Sequence, residues 1–268
     1  MTPTGPGQGS RSQASVEAIR RSADRLTQLL RDAPDPGPVV PHNGDWTVRD
    51  LLAHLVSVTA RYAPAQDKRW VERADQVAGL NDAEIEVLGD APVPVLLQRL
   101  GAAVDDLRAG PAVDAADPVP YVGGTSVSPA DLLGILLGEF VVHGGDLAAA
   151  LGARWDVRPQ DAAEVLASLA PIMPAWGDEG GARGLTATFE VRVRGFFTNR
   201  WRFTDGTLEV LPGGGGPVDV TISADPVALL LVSYRRMPLW KAIVTGRSRA
   251  WGRRGMLAFR TNSYFRAP

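Results

Sequence analysis

The stretch that decides the fold is Ser128-Pro129-Ala-Asp131-Leu-Leu-Gly-Ile-Leu-Leu-Gly-Glu139-Phe-Val-Val-His143-Gly-Gly-Asp146-Leu-Ala-Ala-Ala150. Serine caps, proline takes the first helical position, and the pattern predicts a helix running to Gly152. Leu132, Leu133, Ile135, Leu136 and Leu137 make its first half strongly apolar. Glu139 and His143 stand four residues apart and project from one face, one turn above the other. A carboxylate in so apolar a helix needs a cation, a buried donor or a metal as partner.

Upstream, Val16, Ile19, Leu26, Leu29 and Leu30 predict a first helix over Ala14–Asp32, stopped at Pro34-Asp35-Pro36-Gly37-Pro38. A second begins after Asp45-Trp46-Thr47, with Thr47 as N-cap and Asp50 as its capping-box-like partner, and it carries His54 among Leu51, Leu52, Leu55 and Val56. A third spans about Val93–Arg108 and stops at Gly110-Pro111. Four helices before residue 152 predict a four-helix bundle.

Beyond a further helical segment at about Pro159–Trp176 the texture changes to period-two alternation at Ala187–Arg194, Asn199–Thr204, Thr207–Leu211 and Val218–Ile222. Asp205-Gly206 marks one turn, and Pro212-Gly-Gly-Gly-Gly-Pro217 reads as a hairpin connection, because no Gly-Lys-Ser/Thr follows to make it a phosphate cradle. Helix returns at Pro226–Val232 and Pro238–Val244. The predicted class is α plus α+β: a disordered leader over 1–13, a four-helix bundle over 14–155, and a small α+β domain with an antiparallel sheet over 156–268.

The composition narrows the chemistry. The 268 residues include three histidines and no cysteine, so a thiolate zinc finger, an iron–sulfur cluster, a disulfide and a cysteine nucleophile are excluded, and any metal has nitrogen and oxygen ligands. Apolar runs such as Leu132–Leu137 fall short of a bilayer span, which predicts a cytoplasmic protein without a membrane partner. The net charge of −2 conceals a division: 14 basic and 25 acidic residues up to Ala182 give −11, whereas 14 and 5 from Arg183 onward give +9. No nucleic-acid motif accompanies the basic half, so its charge points to an acidic module or an anionic small-molecule substrate.

Histidines on two apolar helices, with a carboxylate between them, match the way bundle metal sites are built. Trp46-Thr-Val-Arg-Asp-Leu-Leu-Ala-His54 followed by Glu139-Phe-Val-Val-His143-Gly-Gly-Asp146-Leu-Ala resembles the paired signature of the mycothiol-dependent maleylpyruvate isomerase family, part of the DinB-like metalloenzyme superfamily, over roughly residues 14–152. The resemblance implies a divalent metal, usually zinc, held by His54, Glu139 and His143, and mycothiol as a thiol cofactor. Asp50 and Asp146 are each placed to accept from a ligand histidine; the other readings are capping for Asp50 and a packing or surface role for Asp146. His42 falls in a turn and reads as exposed.

The second half resembles the sterol-carrier-type module that accompanies this metal domain in many actinobacterial proteins, on Val220-Thr-Ile-Ser-Ala-Asp-Pro-Val-Ala-Leu-Leu-Leu and Val244-Thr-Gly-Arg247. The resemblance implies an arginine from this module acting at the metal site, matched by Arg235 and Arg236 and then Arg247; a solvated basic face is the other reading. Three functions follow as expectations. The first is a metal-dependent isomerase or thiol S-transferase acting on an electrophilic, carboxylate-bearing small molecule. The second is a thiol-independent metalloenzyme, a hydrolase or cyclase of a biosynthetic pathway. The third is a non-catalytic small-molecule-binding protein. A monomer or homodimer is expected.

Overall fold

The computed structural model describes residues 7–62, 71–109 and 117–266. The chain divides into two compact units, 1–157 and 158–268.

The first unit contains α1 (Gln8–Leu30), α2 (Val48–Tyr62), α3 (Val77–Leu88), α4 (Val93–Ala109) and α5 (Pro129–Ala150). Helix α1 packs on α4 and α5, and α2 packs on the same two, so these four close a bundle in which each helix touches two neighbours. Its interior is apolar, with Ile19, Leu26, Leu51, Leu55, Leu96, Leu100, Leu136 and Phe140 all buried. Helix α5 is long and apolar enough, at 22 residues, to cross a membrane, but 78% of that apolar window is buried inside the fold. It is capped at Ser128, as the sequence predicts, with the Oγ accepting from the Asp131 amide at 3.1 Å.

Three features depart from the sequence reading. Helix α1 begins at Gln8, so residues 8–13 are helical where a leader was expected; Ser12 and Ser15 are buried there, and Arg11 binds Asp131 of α5 at 3.0 Å. Residues 1–6 and the expected stop at Gly110-Pro111 lie outside the described residues. Helix α3 escaped notice because none of its residues is fully buried, which leaves little apolar periodicity to read. It is tied to α2 by Arg61, whose guanidinium pairs with Glu84 and donates to Asn81 Oδ1 at 2.9 Å. A two-stranded ladder, β1 (Val119–Pro120) with β2 (Ser126–Val127), precedes α5.

The second unit holds α6 (Pro159–Leu169), α7 (Glu179–Ala182), β3 (Ala187–Val193), β4 (Phe197–Thr204), β5 (Thr207–Pro212), β6 (Val220–Ala224), α8 (Pro226–Ser233), α9 (Leu239–Val244) and β7 (Ser248–Trp251). Helix α6 stops short of the expected Trp176 because Pro171 and Pro174 cannot donate to a continuing ladder, and a 3₁₀ turn, Met173–Trp176, follows. The sheet order is β5-β4-β3-β6-β7. It is largely antiparallel as expected, with one correction: β3 and β6 run parallel. The glycine run is therefore no hairpin; residues 213–219 carry the chain from the edge strand β5 across to β6. Arg200 holds this crossover by donating to the carbonyls of Gly215 (2.7 Å) and Gly216 (3.1 Å). The strand alternation seats Phe189 and Phe203 in one core with Tyr264, the three rings meeting edge to face.

Candidate metal centre

Local chemistry sets each helix before the site forms. At the start of α2 the Thr47 amide donates to Asp50 Oδ2 at 2.9 Å, and the Asp50 amide donates to Thr47 Oγ1 at 3.3 Å. This reciprocal cap starts the helix nearly two turns before His54, whose side chain is 3% exposed. On α5 the helical repeat stacks Glu139 beneath His143, and packing of α2 against α5 brings His54 to them.

The three side chains converge on one oxygen. Oε2 of Glu139 lies 3.3 Å from Nε2 of His54 and 3.2 Å from Nε2 of His143. The imidazole rings stand at 89° with centroids 5.2 Å apart. Nδ1 of His143 meets Oδ2 of Asp146 at 3.1 Å, and Asp146, itself buried, accepts on the same oxygen from Nδ2 of Asn43 at 3.1 Å. Trp46 lies against His54 with ring centroids 5.3 Å apart.

The charges sort themselves around this geometry. Burial pushes the Glu139 carboxyl up, but hydrogen bonds from His143 and His54 outweigh it and hold the group well below the ordinary carboxylate range. Burial also disfavours charge on both histidines. For His54 burial prevails over Glu139 and its pKa falls; for His143 the hydrogen bonds to Asp146 and Glu139 prevail and raise it to about 9. Without a metal the centre therefore holds an ionised Glu139, a neutral His54 and a cationic His143.

A divalent ion suits these donors. Ligand atoms at 2.0–2.1 Å around a four-coordinate zinc ion stand about 3.3 Å from one another, the spacing of the two Nε2···Oε2 approaches. The ligating atoms of His54, Glu139 and His143 all fall within 4.8 Å of one another. His143 has the carboxylate behind it that fixes a ligand histidine, while the buried Nδ1 of His54 has no hydrogen-bond partner among the described residues.

Of the two aspartates read as candidate supports, Asp146 is on His143, and Asp50 is engaged in the α2 cap and with Arg49. His42 is exposed in a turn at φ 67° and lies outside the cluster. Arg235 and Arg236 follow α8 in the second unit. Arg235, at φ 59°, donates to the carbonyls of Asn262 and Phe265 at 3.3 and 3.4 Å, and Arg236 donates to that of Tyr234 at 2.8 Å. Arg247 pairs with Asp225 at 2.6 Å.

Sequence reasoning missed two groups. Tyr62 of α2 shares a hydrogen bond of 2.8 Å with Tyr121, both buried; burial raises Tyr62 well above 10 and Tyr121 to about 12, so both stay protonated. Tyr62, two turns beyond His54, was legible as a helix position, but its partner comes from an irregular segment that no period marks. Asn43 sits beside Gly44, where the default reading is a turn residue.

Comparison with known proteins agrees with this architecture. The mycothiol maleylpyruvate isomerase N-terminal domain family matches residues 16–148, from α1 into α5, and so includes all three converging residues. No curated protein matches the chain. Among solved structures, a mycothiol-dependent maleylpyruvate isomerase is 16% identical with a TM-score of 0.49, and a mutant of that enzyme is 15% identical with a TM-score of 0.50. Each comparison covers 82% of this chain and 87% of the other. A UbiJ-SCP2 ubiquinone synthesis protein is 21% identical over 41% of this chain and 96% of its own, with a TM-score of 0.28. At 15% identity and a TM-score of 0.50 the likeness to the mutant enzyme is one of fold; the family match rests on the sequence of the first unit, where residues 16–148 match the mycothiol maleylpyruvate isomerase N-terminal domain family.

Proposed function

We propose that the protein is a metal-dependent enzyme that uses a small-molecule thiol of the mycothiol type to isomerise, or transfer sulfur to, an electrophilic, carboxylate-bearing small molecule. The observation that carries this reading is the convergence of His54 and His143 on Glu139 from two helices, within a domain that matches the isomerase family. His54, Glu139 and His143 would hold the ion, with Zn2+ the ion their nitrogen and oxygen donors suit. Such an ion, when bound, supplies Lewis acidity that lets a thiol or water ionise near neutral pH.

The residues of this chain account for the rest. Glu139 keeps its charge through the neutral range, and His54 is already neutral there. Asp146 orients His143 from behind. The chain has no cysteine, so sulfur in the reaction comes from a bound thiol. A carboxylate on the substrate calls for a guanidinium, and Arg235 and Arg236 are the candidates in the basic second unit.

The test is elemental analysis followed by calorimetric titration of the metal-loaded protein with mycothiol. Stoichiometric metal and saturable heat support the reading. A folded protein without metal overturns it, and metal without heat at millimolar thiol overturns the thiol and leaves a metal-dependent hydrolase or cyclase.

A further inference from the structure

The turn before α2 reaches both histidines. Nδ2 of Asn43 lies 2.7 Å from the Pro41 carbonyl oxygen and 3.1 Å from Asp146 Oδ2. Both partners only accept, so the amide nitrogen must face them and the side chain has one workable orientation. Oδ2 of Asp146 also faces Nδ1 of His143, so the ring that turns Nε2 toward Glu139 is held by a carboxylate which is itself held by Asn43, 103 residues away in the chain. The same turn closes on itself: the Trp46 amide donates to the Asn43 carbonyl at 3.2 Å, and the Val40 amide donates to the Trp46 carbonyl at 2.8 Å. That closure seats the Trp46 indole against His54.

We propose that Asn43 is a positioning residue for the candidate metal centre, acting through Asp146 to keep His143 aimed at Glu139. A buried carboxylate on a short side chain can swing about its own bonds, and an imidazole turned over would present a carbon where Nε2 is needed. The Asn43 amide removes the first freedom, and the oriented Asp146 removes the second. The inference rests on reading His54, Glu139 and His143 as a metal site.

The experiment compares the full chain with Asn43→Ala, Asn43→Asp, Asp146→Asn and the double variant Asn43→Ala/Asp146→Asn. Zinc affinity is measured by chelator competition, and the visible spectrum of the cobalt-loaded protein is recorded. Asn43→Ala should weaken zinc about tenfold and shift the cobalt bands, within the range of outer-shell partners of metal ligands. Asn43→Asp keeps the shape and turn preference but sets a carboxylate against Asp146, so it should lose more than alanine does. In the Asp146→Asn background, Asn43→Ala should add little.

If Asn43 merely shapes the turn, Asn43→Asp will bind zinc as the unaltered protein does, and the inference is wrong. Losses that multiply in the double variant also overturn it. An unaltered protein that takes up no metal removes the metal reading and this inference together, whereas normal uptake with indifferent Asn43 variants removes the inference alone.

Discussion

His54 Nε2 and Glu139 Oε2 stand 3.3 Å apart although 85 residues separate them in the chain. The approach crosses from α2 to α5, so it exists only once the two helices have packed. Replacing Glu139 with glutamine keeps the volume and removes the charge that both imidazoles face. Metal affinity should fall at least about tenfold, and in the metal-free protein His143 should titrate well below its present value of about 9. Equilibrium dialysis and histidine NMR titration measure the two effects.

Metal uptake should depend on pH through His143. Its pKa of about 9 means that at neutral pH a ligand proton must leave before an ion is bound. Affinity should therefore climb about tenfold per pH unit through the neutral range and level off near pH 9. A pH-stat titration at pH 7.5 should register about one proton released per ion.

The same groups set the stability of the metal-free protein. A histidine raised from 6.5 to about 9 stabilises the fold fully below 6.5, and that contribution is lost as pH climbs through 9. His54, whose pKa is lowered from 6.5, is neutral above that value in both folded and unfolded chains and cannot offset the loss. Urea midpoints of the metal-free protein should thus fall between pH 6.5 and 9.5, and a midpoint that rises over this window contradicts the assignment.

The two aspartates should separate by measurement. Asp50→Ala removes the partner of Thr47 and should cost about 1 kcal/mol of stability with metal affinity unchanged. Asp146→Asn should leave the fold standing and weaken metal binding about 10–100-fold. Chemical denaturation and chelator competition on both variants test the contrast.

Gly144 offers a check on the packing beside His143. A Cβ there would fall inside the indole of Trp155, which the Arg25 guanidinium covers at 4.0 Å from the ring centroid. Alanine improves helix propensity by about 1 kcal/mol, yet the overlap should cost about 1–3 kcal/mol. Gly144→Ala should be destabilising, and trimming Trp155 to leucine in the same chain should recover part of the loss.

Much of this was legible in the residues. Ser128-Pro129 announced α5 and Thr47 with Asp50 announced α2, because capping acts within a turn of the chain. The face shared by Glu139 and His143 followed from the helical repeat alone. Helix α3 did not announce itself, since a helix held by Arg61 and Glu84 rather than by buried apolar residues leaves a weak periodic signal. Nor could alternation show that β6 pairs parallel with β3, because the alternation records which face of a strand is buried and says nothing of its neighbour.

By itself, then, the sequence determined the starts of α2 and α5, the two-part composition, the exclusion of cysteine ligands and nucleophiles and a Glu139–His143 pair on one face. Tertiary structure decided that His54 meets that pair, that Asp146 rather than Asp50 stands behind a histidine, and that Asn43 reaches across to it. The division has one physical origin. Spacing along a helix is set by backbone geometry within a few residues, whereas the register of one helix on another is set by side chains distant in the chain that bury their faces together.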